Sequence, residues 1–189
     1  MKNPKIDVRV PYEPGGQLGQ DYNRIMKESK HNWVLFLDHD IFLSLNPHWY
    51  HICQTAIEQN SNKRPGLLTC KTNINHKGTG QFDENSPQTD AIEDHRLYAK
   101  TAWDKNGYSV EKISKASGFF MLVNKSAWFD VGGFIGSGLF REDWIFSRRL
   151  TDSGFSILCM TGLYVYHARH RSDRWIETDA VTKDFRSQL

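Results

Sequence analysis

The chain has 189 residues, with 24 Lys and Arg against 22 Asp and Glu, which gives a formal net charge of +2. Hydrophobic residues make up 39% and charged residues 24% of the sequence, a balance that excludes an intrinsically disordered chain. The small net charge argues against nucleic acid as a partner, because non-specific binding to it depends on a strongly basic surface. This length favours one domain with a substantial core.

The N-terminus and the cysteines indicate the cellular compartment in which the protein works. Charged residues interrupt the N-terminal stretch MKNPKIDVRVPYEP, so we expect no signal peptide, and no apolar run approaches the length of a transmembrane segment. Cys53, Cys70 and Cys159 are odd in number and far apart, which argues against a disulfide framework or a zinc knuckle. We therefore expect reduced, buried thiols and a cytoplasmic protein.

Apolar patterns predict strands and helices that alternate along the chain. In the first part the predicted elements are a strand at 6–10, a helix from 18, a buried strand at 33–37, a helix from Asn46 to Gln59, a strand at 66–72 and a helix at 90–104. They continue with a strand at 117–124, a short helix that stops at Gly132-Gly133, a helix at 141–154 and two strands, FSILCM and LYVYH. This alternation favours a single α/β domain over 1–170, with a mostly parallel sheet flanked by helices.

The sharpest chemical feature is Asp38-His39-Asp40, which follows the predicted buried strand 33–37. Side chains at positions i and i+2 of an extended chain point the same way, so the two carboxylates leave the sheet together. Paired carboxylates offer oxygen ligands to Mg²⁺ or Mn²⁺, and a cation held there could bridge them to a diphosphate. An ordinary acidic turn explains the same pattern, because an isolated D-x-D is common.

Two features near the C-terminus could complete such a site. Glu142 and Asp143 open a helix after a glycine-rich loop, where a carboxylate is placed to act as general base on a hydroxyl. Acidic residues in a first helical turn are also favoured by the helix dipole alone. His167 ends the strand LYVYH and, beside Asp38, would give a mixed oxygen and nitrogen site that suits Mn²⁺. Away from Asp38, it would be a surface residue at a strand end.

Three ordered blocks of the sequence resemble the family 2 glycosyltransferases of the GT-A fold. The blocks are LGQDYNRIMKESKHNWVLFLDHD (18–40), SGFFMLVNKSAWFDVGGF (117–134) and REDWIFSRRLTDSGFSILCMTGLYVYH (141–167). The resemblance covers about residues 6–170 and implies a GT-A-like, Rossmann-like domain. It also implies metal-dependent, inverting transfer of a sugar from a nucleotide-diphosphate donor, which we expect to be a UDP-sugar, to a hydroxyl of a saccharide or lipid-linked glycan.

The resemblance assigns roles to individual positions. Asp38 and Asp40 match the metal-binding D-x-D, His167 matches a third metal ligand, and Asp143, next to Glu142, matches the base that deprotonates the acceptor. The implied cofactor is Mn²⁺ or Mg²⁺. The positions assigned to the nucleotide sugar in these blocks are Asn23, Arg24, Asp38, His39 and Gly118.

The chain departs from the family pattern after its first strand. In larger members a helix, a second strand and another helix follow, and that region holds the acidic residue that reads the nucleotide base. Here the segment PYEPGG (11–16) replaces all of it. We therefore expect Pro11, Tyr12 and Glu13 to contribute to base recognition.

Two other function classes fit parts of the sequence. A haloacid-dehalogenase-like phosphatase also places D-x-D after a buried strand, but normally the first strand, with Thr or Val where Phe42 stands here. A non-catalytic module that only binds a sugar nucleotide or a glycan is the other alternative.

Two segments lack apolar periodicity. The stretch 73–90 predicts a long loop, and such loops are often functional, so we expect it to be a lid that faces the acceptor. The segment 171–189 is expected to be a tail or a peripheral helix, and its basic residues predict at most a weak contact with an anionic membrane surface.

Overall fold

The computed structural model describes residues 4–12, 17–75, 79–135 and 142–168. In these ranges the strands are β1 (Ile6–Arg9), β2 (Trp33–Leu37), β3 (Ile41–Phe42), β4 (Pro65–Thr72), β5 (Val110–Ile113), β6 (Phe120–Asn124) and β7 (Ser156–His167). The helices are α1 (Leu18–Glu28), α2 (Trp49–Gln59), α3 (Ile92–Asn106), α4 (Lys125–Asp130) and α5 (Glu142–Asp152). None of the helices in these ranges is long and apolar enough to cross a membrane.

The strands form one sheet in the order β1-β2-β6-β4-β7-β3, and β5 also pairs with β7. β1, β2, β4 and β7 run in the same direction, whereas β6, β3 and β5 run against them. Helices cover both faces, which confirms the predicted α/β class. Because β2, β4 and β7 share a direction, their carboxyl ends meet at one edge of the sheet, the edge where α/β proteins bind ligands.

The core lies on both faces of the sheet. Along β2 the side chains of Trp33, Leu35 and Leu37 pack on the face covered by α2, and Val34 and Phe36 pack on the face covered by α1, α4 and α5. This alternation is why the continuous apolar run WVLFL is a strand buried on both sides. The cysteines Cys53, Cys70 and Cys159 are buried and unpaired, as predicted.

The structure differs from the predicted elements in three places. The two predicted C-terminal strands are one strand, β7, which is buried along its whole length. α2 begins at Trp49 and not at Pro47 with Asn46 as its N-cap, because the Asn46 side chain accepts the His48 N–H at 3.0 Å and caps a turn before the helix. The sequence also did not predict β3 and β5, which are two and four residues long. Strands this short show too little alternation to be recognised.

Candidate active site

Three potential metal ligands lie together at the carboxyl edge of the sheet. Ligand atoms of Asp38, Asp40 and His167 all lie within 4.8 Å of one another. The imidazole Nε2 of His167 lies 3.2 Å from Asp40 Oδ1 and 3.9 Å from Asp38 Oδ2. The His167 side chain is buried, whereas that of Asp38 is 40% exposed. The structure thus brings the three predicted ligands together, with the Asp38 carboxylate facing solvent.

Backbone pairing explains this convergence. β2 ends just before the turn 38–40, and the turn leads into β3, which pairs with the end of β7. Asp38 N–H donates to the Phe119 carbonyl at 3.0 Å, next to the start of β6. Ala168 N–H donates to the Asp40 carbonyl, also at 3.0 Å. The turn is therefore fixed at both ends and crosses the edge of the sheet from β2 to β7.

Asn73, which follows β4, holds the backbone of His167 through two hydrogen bonds. Its Oδ1 accepts the His167 N–H at 2.9 Å, and its Nδ2 donates to the His167 carbonyl at 3.3 Å. Asn73 is buried, so these bonds are shielded from water. The sequence did not predict this contact, since an Asn after a strand is typical of an ordinary turn.

The three ligand atoms fit a small divalent cation. Mg²⁺ holds its ligands at about 2.0–2.1 Å in octahedral geometry, so neighbouring ligand atoms are about 3 Å apart. The 3.2 Å between His167 Nε2 and Asp40 Oδ1 is near that spacing, whereas the 3.9 Å between His167 Nε2 and Asp38 Oδ2 is longer. Carboxylate oxygens suit Mg²⁺ and Mn²⁺, and an added imidazole favours a transition metal such as Mn²⁺.

Asp143 lies in the first turn of α5 and contacts the segment that leads into β6. Its Oδ2 accepts the Gly118 N–H at 2.9 Å, and its Oδ1 accepts the Trp144 N–H at 2.7 Å. Burial raises the pKa of Asp143, and these two hydrogen bonds oppose that rise because they stabilise the charged form. A carboxylate with a raised pKa that is still held by donors has the properties of a general base. Its neighbour Glu142 is buried.

The hydroxyl of Tyr22, on α1, lies beside Gly118 and Asp143. A Cβ built on Gly118 would lie 3.7 Å from both the Tyr22 hydroxyl and Asp143 Oδ2, so these groups line the same small space. Burial raises the pKa of Tyr22 well above its usual value, and the charges of Asp38 and Asp143 act in the same direction. The sequence did not single out Tyr22, because an aromatic residue on an amphipathic helix is typical of a core position.

The predicted nucleotide-facing residue Asn23 has a structural role. Its Nδ2 donates to the Phe134 carbonyl at 2.7 Å, and its Oδ1 accepts the Phe134 N–H at 2.8 Å and the Trp128 indole N–H at 2.9 Å. These bonds tie α1 to the turn after α4, where Gly133 has a φ of 76°. A Cβ at Gly133 would lie 2.6 Å from Asn23 Oδ1, so the close approach requires glycine.

The other predicted donor residues lie on α1, just after β1 and in the turn after β2. The buried Asp21 accepts the Tyr12 backbone N–H at 2.9 Å and also bonds Arg24, whose guanidinium contacts Glu28 as well. The Tyr12 side chain is 79% exposed. Two other predicted donor residues, Pro11 and His39, are half-buried and exposed, respectively. The predicted residue Glu13 and the predicted tail 171–189 lie outside the described residues.

No protein-family model matches the chain, and no curated relative was found. Among solved structures, S. aureus TarS 1–349 matches with a TM-score of 0.51 at 17% identity, covering 80% of this chain and 40% of the TarS chain. A structure of the same TarS fragment in complex with UDP matches with a TM-score of 0.46 at 16% identity, over the same shares. The chain therefore spans about 40% of the length of the TarS structures that it matches. At this identity the first match shows the similarity of fold.

Proposed function

We propose that this chain is a GT-A-like, family 2-type glycosyltransferase that moves a sugar from a nucleotide-diphosphate donor to an acceptor hydroxyl. The observation that carries the proposal is the convergence of Asp38, Asp40 and His167 at the ligand-binding edge of the sheet. A fold like that of TarS, which is a glycosyltransferase, supports it. We expect the donor to be a UDP-sugar and the acceptor to be a saccharide or a lipid-linked glycan.

Asp38, Asp40 and His167 would hold the cation. Bound Mn²⁺ or Mg²⁺ supplies positive charge beside the diphosphate that leaves, which is the main requirement of this chemistry. The exposed carboxylate of Asp38 leaves that side of the site open to solvent and thus to a phosphate oxygen. On the other side of the cation, the buried His167 would be a fixed ligand, because Asn73 holds its backbone through two hydrogen bonds.

Asp143 would remove the proton of the acceptor hydroxyl. The Gly118 and Trp144 N–H groups orient its carboxylate, and burial raises its pKa so that it binds a proton more readily than an exposed aspartate does. The acceptor oxygen would then attack the anomeric carbon from the face opposite the leaving diphosphate. This geometry predicts inversion at that carbon.

The space in front of Gly118 would take the donor sugar. Glycine leaves room beside the Tyr22 hydroxyl and Asp143, and a side chain at this position would fill that space. Tyr12, which is exposed beyond the end of β1, would stack on the nucleotide base. We propose that the reaction takes place in the cytoplasm, where the three buried thiols would remain reduced.

Thermal unfolding with nucleotides tests this proposal. The midpoint is measured with UDP, GDP, dTDP and CDP, each with and without Mn²⁺, because a ligand that binds only the folded state raises the midpoint. A rise that requires both Mn²⁺ and one nucleotide supports the proposal and identifies the donor class. No rise with any pair would contradict it.

Two further assays separate the alternative functions. Hydrolysis of a generic aryl phosphate that is lost in Asp38→Asn would favour the phosphatase. Nucleotide binding without transfer to any acceptor, and without slow hydrolysis of the donor, would favour a binding module.

A further inference from the structure

Three consecutive backbone N–H groups, at positions 116–118, each donate to a side chain from elsewhere in the chain. The bonds are Ala116 N to Ser147 Oγ (3.1 Å), Ser117 N to Gln81 Oε1 (2.7 Å) and Gly118 N to Asp143 Oδ2 (2.9 Å). The first and third acceptors lie on α5, and the second lies in the long segment between β4 and α3. The segment that contacts the candidate base is therefore held from two sides.

Gln81 has a fixed orientation. It is fully buried, and its Nε2 donates to Thr69 Oγ1 at 2.7 Å, while the Thr69 hydroxyl donates to the Phe120 carbonyl at 2.7 Å. Its Oε1 also accepts from Asn75 Nδ2 at 3.2 Å. Because the amide nitrogen must face Thr69, the amide oxygen faces the Ser117 N–H. A reversed amide would lose these bonds.

The backbone around Gln81 is attached to β4. The Gln81 carbonyl accepts the Thr72 N–H at 2.9 Å, and Asp83 N–H donates to the Thr72 carbonyl at 3.0 Å. Lys71 Nζ also donates to the Gly80 carbonyl at 2.8 Å. The backbone of residues 80–83, in the predicted lid, is thus hydrogen-bonded to β4. From this fixed position the Gln81 side chain holds the Ser117 N–H.

We propose that Gln81 is a positioning residue for Asp143: by holding Ser117 N–H, it fixes the Gly118 N–H against the Asp143 carboxylate. The proposal deepens the proposed function, on which it rests for the role of Asp143 as the base. Ser147 cannot replace Gln81 in this respect, because it holds only the far end of the segment, at Ala116.

A physical consequence of this arrangement can be measured. The Gly118 hydrogen bond lowers the pKa of Asp143, against the larger effect of burial, so loosening that bond should raise the pKa further. Two titratable groups face Asp143, Glu142 on its own helix and Tyr22 on α1. Near them, Lys115 lies over the Trp144 ring at 4.0 Å. None of these groups contacts Gln81 through a described hydrogen bond.

The experiment is a carboxyl ¹³C NMR titration of Asp143 in the full chain, assigned with Asp143→Asn. In Gln81→Leu we expect the Asp143 midpoint to rise by about one pH unit, since a hydrogen bond to a charged group is worth about that much. The matched control is Asn60→Ala, which removes another buried amide that donates to the Ala56 carbonyl at 2.9 Å. Asn60 lies before the amino end of β4, at the opposite edge of the sheet, so the Asp143 midpoint should not move.

Thr69→Val provides a second test that does not depend on the folding of Gln81→Leu. It removes the hydroxyl that orients the Gln81 amide and should move the Asp143 midpoint in the same direction, by less. An unchanged midpoint in the folded Gln81 or Thr69 variant, or an equal shift in Asn60→Ala, would overturn the proposal. The titration uses no donor or acceptor, so its outcome is independent of whether sugar transfer is found.

Discussion

The two halves of the candidate site are built by different means. On one side, Asp38, Asp40 and His167 are brought together by strand ends and by the short pairing of β3 with β7. On the other side, Asp143 accepts the Gly118 backbone N–H, and side chains from distant parts of the chain hold the segment 116–118. The first half depends mainly on backbone pairing, with one buried side chain, Asn73, bonded to the His167 backbone. The second depends on a network of several buried polar side chains.

This difference predicts how each half responds to change. Backbone pairing survives most single substitutions. Replacing Asp38, Asp40 or His167 should therefore weaken cation binding while the chain keeps its fold. A buried polar network has members that depend on one another, so a substitution there can alter a group that it does not touch.

Asp143→Asn should have the largest effect on transfer. The amide cannot accept the proton of the acceptor hydroxyl, and loss of a general base costs about 10²–10⁴-fold in kcat. Binding of Mn²⁺ and nucleotide should remain, since Asp143 is not among the three grouped ligands. Initial rates and thermal shifts on the same preparation check both statements. Retained transfer would remove Asp143 from the role of base.

Asp40→Asn should weaken Mn²⁺ binding by about 100-fold, because a neutral amide is a poorer ligand than a carboxylate. Isothermal calorimetry with Mn²⁺ measures this effect. Asp104→Asn is the matched control, because Asp104 is an exposed residue of α3 that bonds only Lys100 among the described contacts. Equal Mn²⁺ affinities in the two variants would contradict the metal assignment.

Gly118→Ala should separate ligand binding from stability. The added Cβ would meet its neighbours at 3.7 to 3.9 Å, which is ordinary contact, so the unfolding temperature should not change. The methyl group would still occupy the space proposed for the donor sugar, and we expect about a tenfold to hundredfold loss in kcat/KM for the donor. A variant that keeps full donor kinetics would show that the sugar binds elsewhere.

Tyr12→Ala should weaken donor binding by about fivefold, the lower end of what one stacked base contributes. The side chain is 79% exposed, so its loss should leave the unfolding temperature unchanged. Competition between UDP and a nucleotide with a different base measures the effect. An equal loss of affinity for ribose diphosphate, which has no base, would rule out stacking.

The smallest effect concerns stability and pH. Because burial raises the pKa of Asp143 in the folded chain, the folded state binds that proton more tightly than the unfolded chain does. This group therefore lowers the free energy of unfolding as pH rises from about 3.9, the ordinary aspartate pKa, through the raised value. Asp143→Asn cannot accept both the Gly118 and the Trp144 N–H, so its absolute stability also reflects a lost hydrogen bond. The test is the pH dependence: the unfolding temperature of the variant relative to the parent chain should rise between pH 4 and pH 7.5, and a difference that does not change with pH would contradict the assignment.

The metal half could be predicted because its signals are local. Asp38 and Asp40 are two residues apart directly after an apolar run, so the carboxyl end of that strand predicted where they lie. The predicted extended backbone was wrong, because residues 38–40 form a turn between β2 and β3. His167 ends an apolar strand that runs in the same direction. Alternation of strands and helices also predicted the fold class, since parallel strands need crossover connections.

The base half could be predicted only in part. Asp143 was recognisable at the start of a helix, but its surroundings were not. Gly118 and Tyr22 approach Asp143, and Gln81 approaches Ser117, only in the tertiary structure, which spacing along the chain does not show. Gln81 lay in a stretch that predicted only a loop, where a buried glutamine and an exposed one look the same. Asn23 was assigned to the nucleotide by resemblance, and its hydrogen bonds to Phe134 and Trp128 depend on the turn at Gly133.

The most direct test of the account is a crystal structure of the chain grown with Mn²⁺ and UDP, with anomalous scattering used to locate manganese. The account predicts a manganese peak within bonding distance of Asp38, Asp40 and His167, and in contact with the diphosphate. A chain that binds UDP with manganese elsewhere, or with His167 outside its coordination sphere, would contradict the central claim.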